Sequence, residues 1–272
     1  FGTVTLNGLT LNAAASLKGN LTLASGGFNA AAPLTLTGTT AITSATGNIT
    51  LGSVSGLQAL TLSGKALTLG AANLASLAAT GTSIATSGVT TSGAQSYTGS
   101  TRLSGTYAAS TFSVTGATTL GGATTISTSG NLSLGTVGGA QALTLSGASV
   151  ALGAANIASL TASGSALRTA GVTTSGAQSY SGPVTLAGAY SASAFSVKGG
   201  ATLAGATTID ATGDIGLGTT SGAYALTLDG DDIALGLASL ASLAATGASI
   251  ATSGVTTTGS QAYAGALTLK GT

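Results

Sequence analysis

The chain lacks cysteine, histidine, methionine, tryptophan and glutamate altogether, and each absence removes a class of function. Without cysteine there is no disulfide scaffold and no thiolate nucleophile, and a chain free of premature cross-links also suits passage through an envelope in the unfolded state. Without histidine or glutamate, and with only five aspartates, the groups that move protons, ligate metals or form covalent intermediates are scarce, so the chain is not expected to be an enzyme or to carry a cofactor or metal. Charged residues make up 4% and aromatics 4% of the sequence, too few for the mixed surface and large rings of an ordinary globular core. The six cations, Lys18, Lys65, Arg102, Arg168, Lys198 and Lys270, are scattered, whereas a surface that follows phosphates needs them together, so nucleic acid is not an expected partner. No run of 18 apolar residues suggests a membrane helix, and an outer-membrane barrel would need aromatic girdles that this composition does not supply. Nothing resembles a signal peptide and the first residue is Phe1, so targeting signals are expected upstream.

What is present is small and repetitive. Hydrophobic residues reach 43%, drawn largely from Ala, Leu and Val, and 44 glycines stand beside abundant Ser and Thr. Laid on itself, the chain repeats: Val-Thr-Thr-Ser-Gly-Ala-Gln-Ser-Tyr begins at Val89 and again at Val172, and returns as Val-Thr-Thr-Thr-Gly-Ser-Gln-Ala-Tyr at Val255, at a constant offset of 83. The same offset joins Leu60-Thr61-Leu62 to Leu143-Thr144-Leu145 and Leu226-Thr227-Leu228, and Phe112 to Phe195. Phe28 and Ile42 fit Phe112 and Ile126 at an offset of 84, so the first copy carries a slip. The copies are read as 6–88, 89–171 and 172–254, with a partial fourth at 255–272, all in one continuous solenoid over 1–272.

Within a copy the pattern is apolar, small polar, apolar, as in Leu132-Ser133-Leu134 and Phe195-Ser196-Val197, which is a strand with one buried face. Such triplets recur at short intervals and are punctuated by Ser-Gly, Thr-Gly or Gly-Gly, leaving no room for helices of ordinary length. The expectation is an all-β parallel β-helix, a β-solenoid, with about three strands per coil and about four coils of ~20 residues in each 83-residue repeat, ~19 Å per repeat and ~60 to 65 Å in all. Glycine serves tight corners that need positive φ, and Pro33 and Pro183, unable to donate within a ladder, belong at corners or strand starts.

Five tyrosines fall on two repeat positions: Tyr97, Tyr180 and Tyr263 on one, Tyr107 and Tyr190 on the other. They are candidates for weak glycan or inter-fibre contacts, against the plainer reading of a partly buried ring that covers a corner with its hydroxyl in water. Gln95, Gln178 and Gln261 are equally periodic and are read as turn locks. Asp229, Asp231 and Asp232 around Gly230 raise the question of calcium, but the matching residues Ser63 to Ala66 and Ser146 to Ser149 carry no acid, so a solvated turn is the reading. Asp210 and Asp214, unmatched elsewhere, do not make a glycosidase pair.

The stretch Gly-Val-Thr-Thr-Ser-Gly-Ala-Gln-Ser-Tyr-Thr-Gly at Gly88 to Gly99, with its copy from Gly171, resembles the repeats of large filamentous-haemagglutinin-like exoproteins, and the likeness runs through nearly the whole chain. The resemblance implies a right-handed β-helix, export through a partner outer-membrane pore of a Gram-negative bacterium, a place outside the cell or on its surface, and a role as adhesin or biofilm matrix fibre. The family's amino-terminal secretion domain and an Arg-Gly-Asp triplet have no counterpart here. The expected function is therefore a structural, adhesive fibre segment that associates with itself end to end or side by side, with surface glycans or matrix polysaccharide as further partners. The alternative is an ice-binding or glycan-binding solenoid, suggested by Thr3-Val4-Thr5 and Thr35-Leu36-Thr37.

Overall fold

Alternation of an aliphatic with a small hydroxylated residue leaves the chain one economical way to bury its apolar side chains, as extended strands with a single inward face. The computed structural model describes residues 4–270, and these form 28 strands and no helix. Phe1 and Thr3, and the last two residues of the partial fourth copy, lie outside the described residues. The strands pair in parallel, each with the strand one coil further along, and their burial alternates as the sequence does: Ile49-Thr50-Leu51 and Phe28-Asn29-Ala30 both run buried, exposed, buried.

The chain divides into two units, one ending at Gly138 and the other beginning at Gly139, and each is a stack of coils. In the first unit the column Val4, Leu21, Ile42, Leu62, Ala79, Tyr97, Val114 and Leu134 rises through successive coils. In the second, Ala155, Val172, Tyr190, Ile209, Leu228, Ala245 and Tyr263 do the same. Coils differ in length, with an offset of 17 from Val4 to Leu21 and of 21 from Leu21 to Ile42. The interior is a pile of Leu, Ile, Val and Phe with almost no exposure, as at Leu23, Ile42, Ile126 and Ile209.

This spacing corrects the expectation of four coils per repeat. Each coil has three sides, marked in one coil by Tyr180, Leu186 and Tyr190, which pair onward with Val197, Leu203 and Ile209. Four coils beyond Tyr190 stands Tyr263, and Tyr263 is the repeat counterpart of Tyr180, which lies two sides earlier in its coil. One repeat therefore advances the chain by four and two-thirds coils. The first unit behaves alike: four coils beyond Leu21 stands Tyr97, whereas the residue that, like Leu21, follows a positive-φ glycine by two is Tyr107, two sides further. Coils are shorter on average than expected, and in the second unit Tyr180 and its repeat counterpart Tyr263 fall on different faces.

Corners fix where each coil turns. Gly99 and Gly182 occupy one repeat position with φ of 130° and 129°, and a Cβ there would stand 1.8 and 1.9 Å from the carbonyl oxygens of Gly81 and Gly164 in the coil below. Only a glycine over a glycine closes that corner. Pro33 and Pro183 sit immediately before the strands Leu34–Ser44 and Val184–Ala192, where a missing N–H interrupts no ladder, and their carbonyls accept from Ala15 and Leu167.

Candidate functional site

The periodic tyrosines were the sequence's best candidates for contacts with a ligand, and the structure puts four of them inside. Tyr97, Tyr107 and Tyr180 have no exposure and Tyr190 has 1%, so none of these four offers a ring to a glycan or to a neighbouring fibre. Their hydroxyls are dry as well, which also displaces the reading of a ring that covers a corner and keeps its hydroxyl in water. Tyr263, in the last described coil, is half-exposed.

A phenol enters an apolar core only if its hydroxyl finds partners there. Tyr97 Oη donates to Gln95 Oε1 at 2.9 Å, and Gln95 Nε2 donates to the carbonyls of Val89 and Ala108, both at 2.9 Å, with Thr91 Oγ1 at 3.3 Å. Tyr107 Oη donates to the Thr86 carbonyl at 2.8 Å, lies 2.7 Å from Thr86 Oγ1, and accepts the Ser104 N–H at 3.2 Å. Phe112 packs between the two phenols, with ring centroids 5.3 Å from Tyr97 and 5.6 Å from Tyr107. The second unit repeats the cluster: Tyr180 on Gln178, Gln178 on the carbonyls of Val172 and Ser191 at 2.9 Å, Tyr190 on Thr169 and the Ala187 N–H, and Phe195 between the rings. Gln95 and Gln178 are thus turn locks, as read, and their locking extends to the next coil.

Burial raises all four phenols above the ordinary tyrosine range, and for Tyr97 and Tyr180 the neighbouring Tyr107 and Tyr190 push in the same direction. Hydrogen bonds from Thr86 and Thr169 oppose the shift without cancelling it. These are neutral, structural phenols rather than acids or bases. The partners that the sequence reading missed are Thr86, Thr91, Thr169 and Thr174; the signal for two of them was the fixed Thr-x3-Gln-x-Tyr spacing from Thr91 to Tyr97 and from Thr174 to Tyr180.

Outside, short side chains prevail, many of them hydroxylated, with Leu57 and Leu237 exposed among them. In the first unit Thr22, Thr43, Ser63, Thr80, Thr98 and Thr115 form one outward column through consecutive coils, aligned without a register shift. An open groove of about 670 Å³ lies where a long coil, Ile42 to Leu62, meets a shorter one, Leu62 to Ala79, and Thr43, Thr46, Ser63, Lys65, Thr80 and Thr82 are among its walls. Tyr224, the one tyrosine off the two repeat positions, is 44% exposed; it stands where Gln58 and Gln141 stand in the other copies.

All five acids gather in two consecutive coils of the second unit. Asp210 pairs in register with Asp229, and Ile215 with Ile233, which places Asp214 beside Asp232. They are exposed, and Ser249 Oγ donates to Asp232 Oδ1 at 2.6 Å. Among the described residues no group of three or more His, Cys, Asp or Glu is arranged to hold a metal ion, and no helix is long and apolar enough to cross a membrane. Comparison with family models, with curated proteins and with solved structures finds no match.

Proposed function

We propose that the chain is a structural and adhesive segment of an extracellular bacterial fibre, carried on the cell surface or secreted, whose coils supply length and whose hydroxylated faces contact other copies, glycans or matrix polysaccharide. The observation that carries this reading is the uniformity of the stack. Coil after coil turns most of its aliphatic residues to the interior and most of its Ser and Thr to the outside. A surface of few charges sets little repulsion against side-by-side association. The resemblance of Gly88 to Gly99 to filamentous-haemagglutinin-like repeats supports the same reading and adds export through an outer-membrane partner.

Electron microscopy of the complete native protein tests this reading. Filaments or surface stalks are the expected result, and short dispersed monomers would overturn the filament form.

A second reading, a surface that orders water or ice, is favoured by the aligned column from Thr22 to Thr115. The column beside it, Asn20, Ala41, Thr61, Ala78, Ser96 and Ser113, is less regular in chemistry, which is why the fibre is preferred. A thermal-hysteresis assay separates the two, since a fibre segment gives none.

A further inference from the structure

We propose that each buried Gln–Tyr–Tyr cluster is a register clamp, which fixes how far one coil advances over the last. A ladder of interchangeable Leu-Thr-Leu rungs specifies its alignment poorly, and a slip of one residue would turn every aliphatic side chain outward. The danger is greatest where the ladder itself changes step. In the first unit Ser87 pairs with Ser104, an offset of 17, but Thr90 pairs with Ala108, an offset of 18. In the second, Ala170 pairs with Ala187 at 17 and Val172 with Tyr190 at 18. One extra residue enters the upper coil at the same place in both copies, within 105–107 or 188–189, each stretch opening on a positive-φ glycine, Gly105 or Gly188.

The cluster brackets that extra residue. Before it, Tyr107 Oη ties the Thr86 carbonyl of the lower coil to the Ser104 N–H of the upper. After it, the Gln95 amide ties the Val89 carbonyl of the lower coil to the Ala108 carbonyl of the upper. Tyr190 and Gln178 bracket the second step with the same partners in the same order. The amide reaches the carbonyl of the upper coil, and the phenol joins the two coils, only if a single residue is inserted; any other count forfeits those buried hydrogen bonds, a cost that apolar packing does not impose. Gln261 already bonds the Val255 carbonyl at 3.2 Å and Tyr263 Oη at 2.9 Å, although no described coil lies over them. The lower half of the clamp is therefore set by one coil's own residues.

The experiment reads register directly, and a cysteine-free chain makes it clean. Thr173 and Ser191 are exposed partners in adjacent coils just past the inserted residue, so the pair Thr173→Cys and Ser191→Cys closes a disulfide only in the native alignment. In the full chain with Gln178 intact, closure is expected to be nearly complete. With Gln178→Met, which keeps the volume and removes the amide, the closed fraction is expected to fall by about twofold or more while the strand signature in circular dichroism persists. Leu203→Ala, a core truncation away from the cluster, is the control: it lowers stability and leaves closure as in the parent. Should Gln178→Met fail to fold, Tyr190→Phe removes only a hydroxyl and takes its place. Closure equal to the parent in whichever folded variant is measured would overturn the proposal.

Discussion

At the scale of single residues, the strongest constraints are those that a neighbouring coil imposes from directly below. Gly182 has φ of +129° and no room for a Cβ, so Gly182→Ala is expected to cost about 3 kcal/mol, read as a lowered urea midpoint. Gly216→Ala is the contrast. A Cβ there meets nothing within 4 Å, and the matching positions are Thr50 and Ser133, so the change is expected to be neutral or to stabilise by about 0.5 kcal/mol. Thr118 carries a buried hydroxyl without a partner at a level where the second unit has Ala201, and Thr118→Val is expected to raise stability by about 1 kcal/mol in the same assay. The buried phenols give the pH response. Unfolded tyrosines ionise near their ordinary value of 10.0, whereas Tyr97, Tyr107, Tyr180 and Tyr190 stay protonated above it in the folded state. The folded chain then holds more protons than the unfolded one, so stability is fully present below pH 10 and declines as pH rises beyond it. Tyrosinate absorbance followed through an alkaline titration checks this: four of the six signals should appear together with loss of the strand spectrum, and more than two signals before unfolding would refute it.

At the scale of strands and coils, much was legible in the sequence, because a period of two with one apolar face has a single structural meaning. Leu132-Ser133-Leu134 and Ile49-Thr50-Leu51 are strands with their aliphatic side chains inside, and both prolines stand at strand starts. The number of coils in a repeat was not legible. Short and long coils differ only in how far a corner bulges, and corner residues such as Ala45-Thr46-Gly47 and Gly64-Lys65 do not announce how many of them lie outside the ladder. Burial of the tyrosines was hidden for a different reason. A phenol reads as a wet ring unless its partner is known, and the Thr86 that receives Tyr107 lies 21 residues away, in the coil beneath. If coils are the units of the fold, removal of a whole one should be tolerated. Deleting 150–166, which brings Leu167 to the place of Val150, is expected to leave the strand spectrum and a cooperative transition, whereas deleting 150–159 should abolish both.

At the scale of the molecule, charge is segregated more than its small total suggests. The residues up to Gly138 hold Lys18, Lys65 and Arg102 and no acid, while those from Gly139 hold all five aspartates beside Arg168, Lys198 and Lys270. The remaining surface of the described residues is uncharged and rich in Ser and Thr, which suits many weak contacts of one kind better than a single strong one. The mismatch between repeat and coil decides how those contacts are displayed. Had the repeat filled a whole number of turns, every copy of a surface motif would look out along one side, like teeth on a comb. Because the repeat in the second unit ends two-thirds of a turn past a whole number of coils, Thr173 and its counterpart Thr256 look out from different faces, as bristles do on a bottle brush.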